Sequence, residues 1–383
     1  HYIRMPDIRL PDQFPVLEQP PYLNHAAVGP WPRCTAEAVS SFAEENLLRG
    51  SAGYREWIRR GEALRGLLAE LTGAASSDDI ALLKNTTEGI SLVAWGLDWK
   101  AGDNIVLPRG EFPSNRLPWL AQAARGVELR EIDIRTAPDA EKALLDAMDR
   151  NTRLLSVSAV QWSDGFRLDL ERLGAACREQ DVLFFVDAIQ QLGALPMDVE
   201  SCHIDFLAAD GHKWLLAPEG IAVFYCRDSA RERIALTQQG WHMVDQPWNF
   251  DRNDWIPSGS ASRFEAGSPN TVGQAALHAS VSMLLEQDMN QVGRQVLKNT
   301  DFLLSEIGAR AGLQICSRIE PVRRSGIMSF RHDRLASTDL YQNLQSAGVN
   351  CALREGAIRL SPHFYQGESE LGQFLEILQE LLG

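Results

Sequence analysis

Much of what marks the large specialised protein classes is scarce in this sequence. No apolar run approaches the ~18 residues that a bilayer span requires, the longest being short strand-like stretches around 182–186 and 154–160, so no membrane partner is expected. The six cysteines are scattered, with no CxxC pair and no histidine-rich spacing, which disfavours a disulfide framework and a zinc site; no metal is expected. Positive charge is also short: 37 Lys and Arg face 51 Asp and Glu, a net charge of −14. Proteins that track a phosphate backbone carry basic patches, so a nucleic-acid partner is not expected. The first predicted strand is not followed by GxGxxG, against a nicotinamide enzyme. The stretch from His1 to Pro21 lacks a charged segment followed by an apolar one, but it also lacks an initial Met, which leaves a trimmed leader open. With the cysteine usage, this points to a reducing cytoplasm.

What is present is the rhythm of an α/β protein. The 383 residues are 45% hydrophobic, enough for a sizeable core and two or three structural units. Amphipathic helical stretches at 35–49 and 54–71 precede short aliphatic or β-branched runs at 104–107, 127–132, 153–160, 182–187, 206–209 and 221–225. Helical patterns at 87–96, 114–125 and 169–180 fall between several of them, which predicts a mainly parallel sheet covered on both faces. Ligands of such sheets gather at the carboxyl ends of the strands. From 271 a single long helical stretch is predicted to about 310. Short elements at 326–331, 338–346, 349–353, 357–360 and 368–382 follow, read as a smaller α+β layer.

Three local signals carry chemistry. Asp210-Gly211-His212-Lys213-Trp214 directly follows an apolar strand, and a lysine crowded by such neighbours can serve as an amine nucleophile toward an aldehyde. Val186-Asp187-Ala188-Ile189-Gln190 ends another strand with a carboxylate. An acid paired with a pyridine nitrogen keeps that ring protonated and electron-withdrawing, as pyridoxal 5'-phosphate (PLP) requires. Asn85-Thr86-Thr87-Glu88-Gly89 opens a helix, where a terminus with free N–H groups and two hydroxyls can hold a phosphate. Each has a plain structural alternative: a solvated lysine, a helix-capping aspartate, a capping box.

In order along the chain, these motifs join Tyr22-Leu23-Asn24-His25-Ala26-Ala27 and Arg263-Phe264-Glu265-Ala266-Gly267-Ser268-Pro269-Asn270. The set resembles the class V aminotransferases, a family that includes cysteine desulfurases, selenocysteine lyases, isopenicillin N epimerase and kynureninase. The resemblance implies a PLP-dependent fold type I homodimer with shared active sites. Its large domain has a mainly parallel seven-stranded sheet and spans residues 25–265. A smaller α+β domain spans 266–383, and a segment over 1–24 packs on it. Lys213 would bind the cofactor as a Schiff base, Asp187 would pair with the ring nitrogen and Gln190 would contact the phenolic oxygen. Thr86, Thr87 and His212 would hold the phosphate, and Ser268 would reach that of the neighbouring subunit. Phe112 would stack on the ring where desulfurases carry histidine. Arg359 would bind the substrate α-carboxylate, a task that suits a bidentate guanidinium, with Asn24 and Trp162 near the substrate.

Two departures bear on the reaction. The region before Arg359 is short, and Cys351 lies in a predicted apolar strand, where a free cysteine behaves as a buried hydrophobe. This disfavours a dedicated desulfurase. Asp210 stands where desulfurases have a phosphate-binding serine; being repelled by phosphate, it is expected to face outward or to bond backbone. The reaction expected is most simply transamination of a small amino-bearing substrate. Desulfurase-like β-lyase or epimerase chemistry is the alternative on the same scaffold, and a non-catalytic PLP-fold binding module the alternative of another kind.

Overall fold

The computed structural model describes residues 10–251 and 253–383; the expectations for residues 1–9, including any leader, lie outside the described residues. Seven strands, β1 (Ile80–Leu83), β2 (Asn104–Pro108), β3 (Glu128–Ile132), β4 (Thr152–Ser158), β5 (Leu183–Asp187), β6 (Phe206–Asp210) and β7 (Ala222–Cys226), form one sheet in the order β1-β7-β6-β5-β4-β2-β3. Neighbours are parallel except that β7 runs antiparallel to both β6 and β1.

The central strands are apolar throughout because both faces are covered. Phe184 and Phe185 show the alternation: each is fully buried, in a different core cluster. A side chain of that size contributes roughly 1.5–3 kcal/mol on burial. Helices α1 (Arg33–Arg49) and α2 (Tyr54–Thr72) pack on the later α6, while α3 (Thr86–Gly96), α4 (Ala140–Asp146) and α5 (Leu170–Glu179) pack against the sheet or one another. The cap side chains of α3, α4 and α5 are Asn85, Asp139 and Asp169, each accepting a backbone N–H from the first turn.

The C-terminal third begins with α6 (Thr271–Glu286) and α7 (Met289–Gly308). A second sheet then follows, with β8 (Leu313–Ile315), β9 (Met328–His332), β10 (Ala352–Arg354) and β11 (Ala357–Leu360) in the antiparallel order β10-β11-β9-β8. Helices α8 (Ser337–Ser346) and α9 (Glu368–Leu382) join α7 on one face of it, closing a core that contains Met328, Phe330, Ile358 and Leu360. The chain before α1 is tied to this sheet by bridges from Tyr22 to Asn350 and from Asn24 to Ser361.

Four details differ from the sequence expectation. The four residues of β1 and the three of β8 are too short to show a period. The single helix expected over 114–125 is instead a one-turn helix, Leu117–Leu120, between two 3₁₀ turns, with prolines at 113 and 118 removing N–H donors. The helix expected from 271 to about 310 is two, because Asp288 turns left-handed (φ 62°) and its side chain accepts the N–H of Asn290 to start α7.

Candidate active site

The carboxyl ends of β4, β5 and β6 lie side by side, since Ser158 is in register with Asp187 and Asp187 with Ala208. Above this edge is a cavity of about 260 Å³. Thr86, Thr87, Phe112, Trp162, Asp187, Gln190, His212, Lys213 and Arg359 all line it, so nine of the expected site residues converge from six separate stretches of chain. Two do not. Asn24 donates its amide to Asn350 Oδ1 at 3.1 Å and is not among the lining residues, where Ala26 and Ala27 stand instead. Ser268 is exposed on the loop before α6, away from this cavity.

Lys213 is held by a tight loop. The Gly29 N–H donates to the His212 carbonyl at 2.7 Å, and a Cβ on Gly29 would sit 2.2 Å from the Lys213 carbonyl oxygen. Gly193, at φ +92°, approaches the Trp214 carbonyl so closely that its Cβ would fall 2.4 Å away. The ammonium lies 5.6 Å from the centre of the Phe112 ring, whose edge meets Trp162. Burial is the main cause that lowers the Lys213 pKa, opposed by the Asp187 carboxylate; burial likewise raises Asp187.

Around this pair, Gln190 donates to the Ala26 carbonyl and accepts from the Trp214 indole N–H at 2.9 Å, which fixes its amide. Thr86 Oγ1 accepts the Asp210 N–H at 3.0 Å, and Thr87 donates its hydroxyl to Ser114 at 2.8 Å. Asn85 caps α3 through the Glu88 N–H, and the first N–H groups of a helix have no partner within it. The end of α3 is therefore both capped and available to an anion, so the capping and phosphate-binding explanations coexist.

Asp210 departs from expectation. It does not face outward: it is 8% exposed, lines the cavity, and puts Oδ1 3.3 Å from His212 Nδ1, with neither atom hydrogen-bonded in good geometry. Its carboxylate interacts electrostatically with Lys213 across the cavity. Arg359 is 2% exposed; Nη1 donates to the Trp162 carbonyl at 2.6 Å, while Nε and Nη2 are buried with no acceptor. Burial, and then Arg354, push its pKa down to about 9. A buried guanidinium with two idle donors fits an anionic ligand.

Other lining residues escaped the sequence reading: Ser114, Ile189 and Arg354. Glu111 lies behind them, fully buried, accepting from the Ser158 N–H, the Ser158 hydroxyl and Gln161; burial raises its pKa. The EFPSN stretch, read for its phenylalanine, held this carboxylate one residue earlier.

Cys351 is 2% exposed, and burial pushes its pKa up to about 12. The segment from it to Arg359 is a tight hairpin: Arg354 pairs with Ala357 across Glu355 and Gly356, both at positive φ (47° and 76°). This is a two-residue turn with the backbone such turns require.

These residues fit PLP: idle buried donors at Arg359, N–H groups and hydroxyls at the start of α3, a flat ring beside an amine, and a buried carboxylate that interacts with that amine. Comparison with known proteins agrees. A "Probable cysteine desulfurase" of Methanothermobacter thermautotrophicus is 28% identical over 100% of this chain and 99% of its own length. One of Pyrococcus abyssi is 28% identical over 98% of each. A solved complex of the cystine C–S lyase C-DES with its reaction product cysteine persulfide is 26% identical, with a TM-score of 0.90 over 96% of this chain and 99% of that one. A lysine-to-alanine mutant of C-DES, with glycine covalently linked to its PLP cofactor, is 25% identical at the same TM-score. The profile for "Aminotransferase class-V" matches residues 21–371, and the chain belongs to that family.

Proposed function

We propose that this protein is a PLP-dependent enzyme that cleaves the Cβ–S bond of a sulfur-bearing amino acid by β-elimination, using no cysteine of its own. The carrying observation is that buried Lys213, Asp187 and Arg359 meet in one cavity, while the hairpin beside Arg359 has no thiol and no length to carry one. Transamination, the simplest expectation from the motifs, yields to the alternative because the relatives are named desulfurases and a C–S lyase.

Bound in the cavity, PLP supplies an aldehyde for the substrate amine and a protonated ring that withdraws electrons from Cα. The protein does the rest. Arg359, oriented by the Trp162 carbonyl, holds the α-carboxylate through its idle Nε and Nη2 and so fixes the Cα–H bond relative to Lys213. Lys213 removes the Cα proton; its lowered pKa keeps a share of the amine uncharged near neutrality. Asp187 would maintain the ring proton, Phe112 would cover the ring face, and Gln190 would contact the phenolic oxygen. Thr86, Thr87 and His212 would hold the phosphate at the start of α3. With the leaving sulfur departing as persulfide or sulfide, the three-carbon remainder hydrolyses to pyruvate and ammonia.

The active unit is a homodimer in which Ser268 reaches the other subunit's phosphate. Its exposure on a loop supports this, as do Trp241, Trp248, Phe250 and Trp255, which leave an aromatic patch on the surface. Residues 25–265 form the cofactor domain and 266–383 the small domain, with the preceding residues packed on the latter. No helix of the described residues is long and apolar enough to cross a membrane, and all six cysteines are free, which supports a cytoplasmic setting.

Borohydride reduction of the PLP-loaded protein, with peptide mapping, should place a pyridoxyl group on Lys213 and none in Lys213→Ala. L-Cystine should then give pyruvate with a persulfide. Formation of alanine from L-cysteine, dependent on Cys351, would reverse the assignment.

A further inference from the structure

Beside the catalytic cavity lies a second one, of about 390 Å³, and Arg354 lines both. Its floor is the small sheet. The register puts Ala352, Arg359 and Ser329 in one cross-strand row, with Cys316 bonding the Ser329 carbonyl at its end. The next row toward the hairpin joins Arg354 to Ala357 and Arg331 to Gln314. Residues two apart on a strand share a face, so all of these project from the face opposite the core residues Phe330 and Ile358. On this face Arg354 on β10 and Arg331 on β9 thus flank β11, which carries the Arg359 anchor, with strands about 4.8 Å apart. The roof, Arg135, Ser163, Asp164 and Phe166, belongs to the large-sheet side.

The charges along this path are not balanced. Arg135 is engaged by Glu355 at 2.6 Å and Asp164 at 3.8 Å, and Arg318 by Glu320 at 3.1 Å. Arg354 donates Nη1 only to the Leu353 carbonyl, and Arg331 donates Nε to the neutral Gln314 amide. Neither forms an ion pair among the described residues. Against a net charge of −14 for the whole chain, four arginines and two carboxylates leave this cavity positive. Exposure rises along the path: Arg359 is buried, Arg354 half-buried and Arg331 exposed.

We propose that the second cavity is a distal anion subsite, in which Arg354 and, nearer the mouth, Arg331 bind a carboxylate at the far end of the substrate side chain. The preferred substrates are sulfur-bearing amino acids extended beyond sulfur and ending in an anion, not cysteine itself. This rests on the reading of Arg359 as the α-carboxylate anchor. Glu355, beside Arg354, competes for the same charge and tempers the affinity.

Calorimetric binding of S-(2-carboxyethyl)-L-cysteine and S-propyl-L-cysteine to the PLP-loaded Lys213→Ala protein, which cannot remove the Cα proton and so does not consume them, tests it, since the two differ mainly in the distal charge. The carboxyethyl compound should bind about tenfold more tightly, about 1.4 kcal/mol. Arg354→Gln and Arg331→Gln should each reduce that preference while the Kd of the propyl compound stays within twofold, and Glu355→Gln should enlarge it. Equal affinities in this background, or Arg354 and Arg331 variants that weaken both ligands alike, would overturn the subsite. A preference that persists when borohydride fails to mark Lys213 would support the subsite while sinking the proposed function, so the two fail separately.

Discussion

The Trp162 carbonyl holds Arg359 by one nitrogen, Nη1, at 2.6 Å, and leaves the other two buried and unbonded. A site arranged this way is less stable empty than filled, because a buried charge lacking full compensation is costly. Arg359→Leu should therefore raise the melting temperature of the free protein while lowering kcat/KM about 100-fold or more, the loss expected when a buried charge pair with substrate is removed. Differential scanning calorimetry beside steady-state kinetics checks both; a variant that is less stable as well as less active would contradict the account.

Behind the Lys213 loop, His25 and His363 are fully buried, with His363 bonding the Trp214 carbonyl at 3.0 Å. Burial lowers both pKa values, that of His363 to about 4. An unfolded chain takes up protons on histidine below about pH 6.5, whereas the folded protein refuses one at His363 until about pH 4. Stability should hence be flat with respect to this residue above pH 7 and fall by about 3 kcal/mol as the pH drops through that window. Urea midpoints at pH 7 and pH 4.5 should draw together in His363→Gln.

Glu265 takes a bidentate contact from Arg65 and the Leu82 N–H at 2.8 Å, tying α2 to β1 in the core. Glu265→Gln leaves Arg65 half-paired in the interior and should cost about 3–5 kcal/mol. A chemical denaturation midpoint unchanged by the substitution would show that the pair contributes nothing.

Gly29→Ala forces a methyl group against the Lys213 carbonyl. Overpacking of this kind costs about 1–3 kcal/mol, here concentrated on the loop that aims the reactive amine. The expected result is at least a tenfold loss of kcat together with a shifted cofactor absorbance, while Gly372→Ala, with open space at its Cβ on α9, should not move that band.

Cys351→Ala should change kcat less than twofold, since the thiol is buried and points into the small-sheet core. Loss of persulfide release in this variant would restore a desulfurase mechanism.

Lys213 and Asp187 were legible because each ends or follows a strongly apolar strand, whereas Arg359, on a short strand, was singled out only through the family resemblance. The start of α3 was legible because its cap residues are local. What could not be read depends on pairing between distant segments. Arg354 enters the cavity only through its register with Ala357, and Glu111 matters only because Ser158, 47 residues on, donates to it. Asp210 was misjudged in orientation because its partner, His212, becomes close only when the strand ends as it does. Strands β1 and β8 were missed for want of length, although β1 completes an edge of the large sheet.

Arg359 stands on the small sheet and Lys213 on the loop that follows β6 of the large one. A molecule that engages both becomes a crosslink between the two sheets, and part of its binding free energy goes into fixing their relative position. A ligand that reaches Lys213 but not Arg359 cannot make that link, so amines without a carboxylate should react with the bound aldehyde and add no tie between the two sheets.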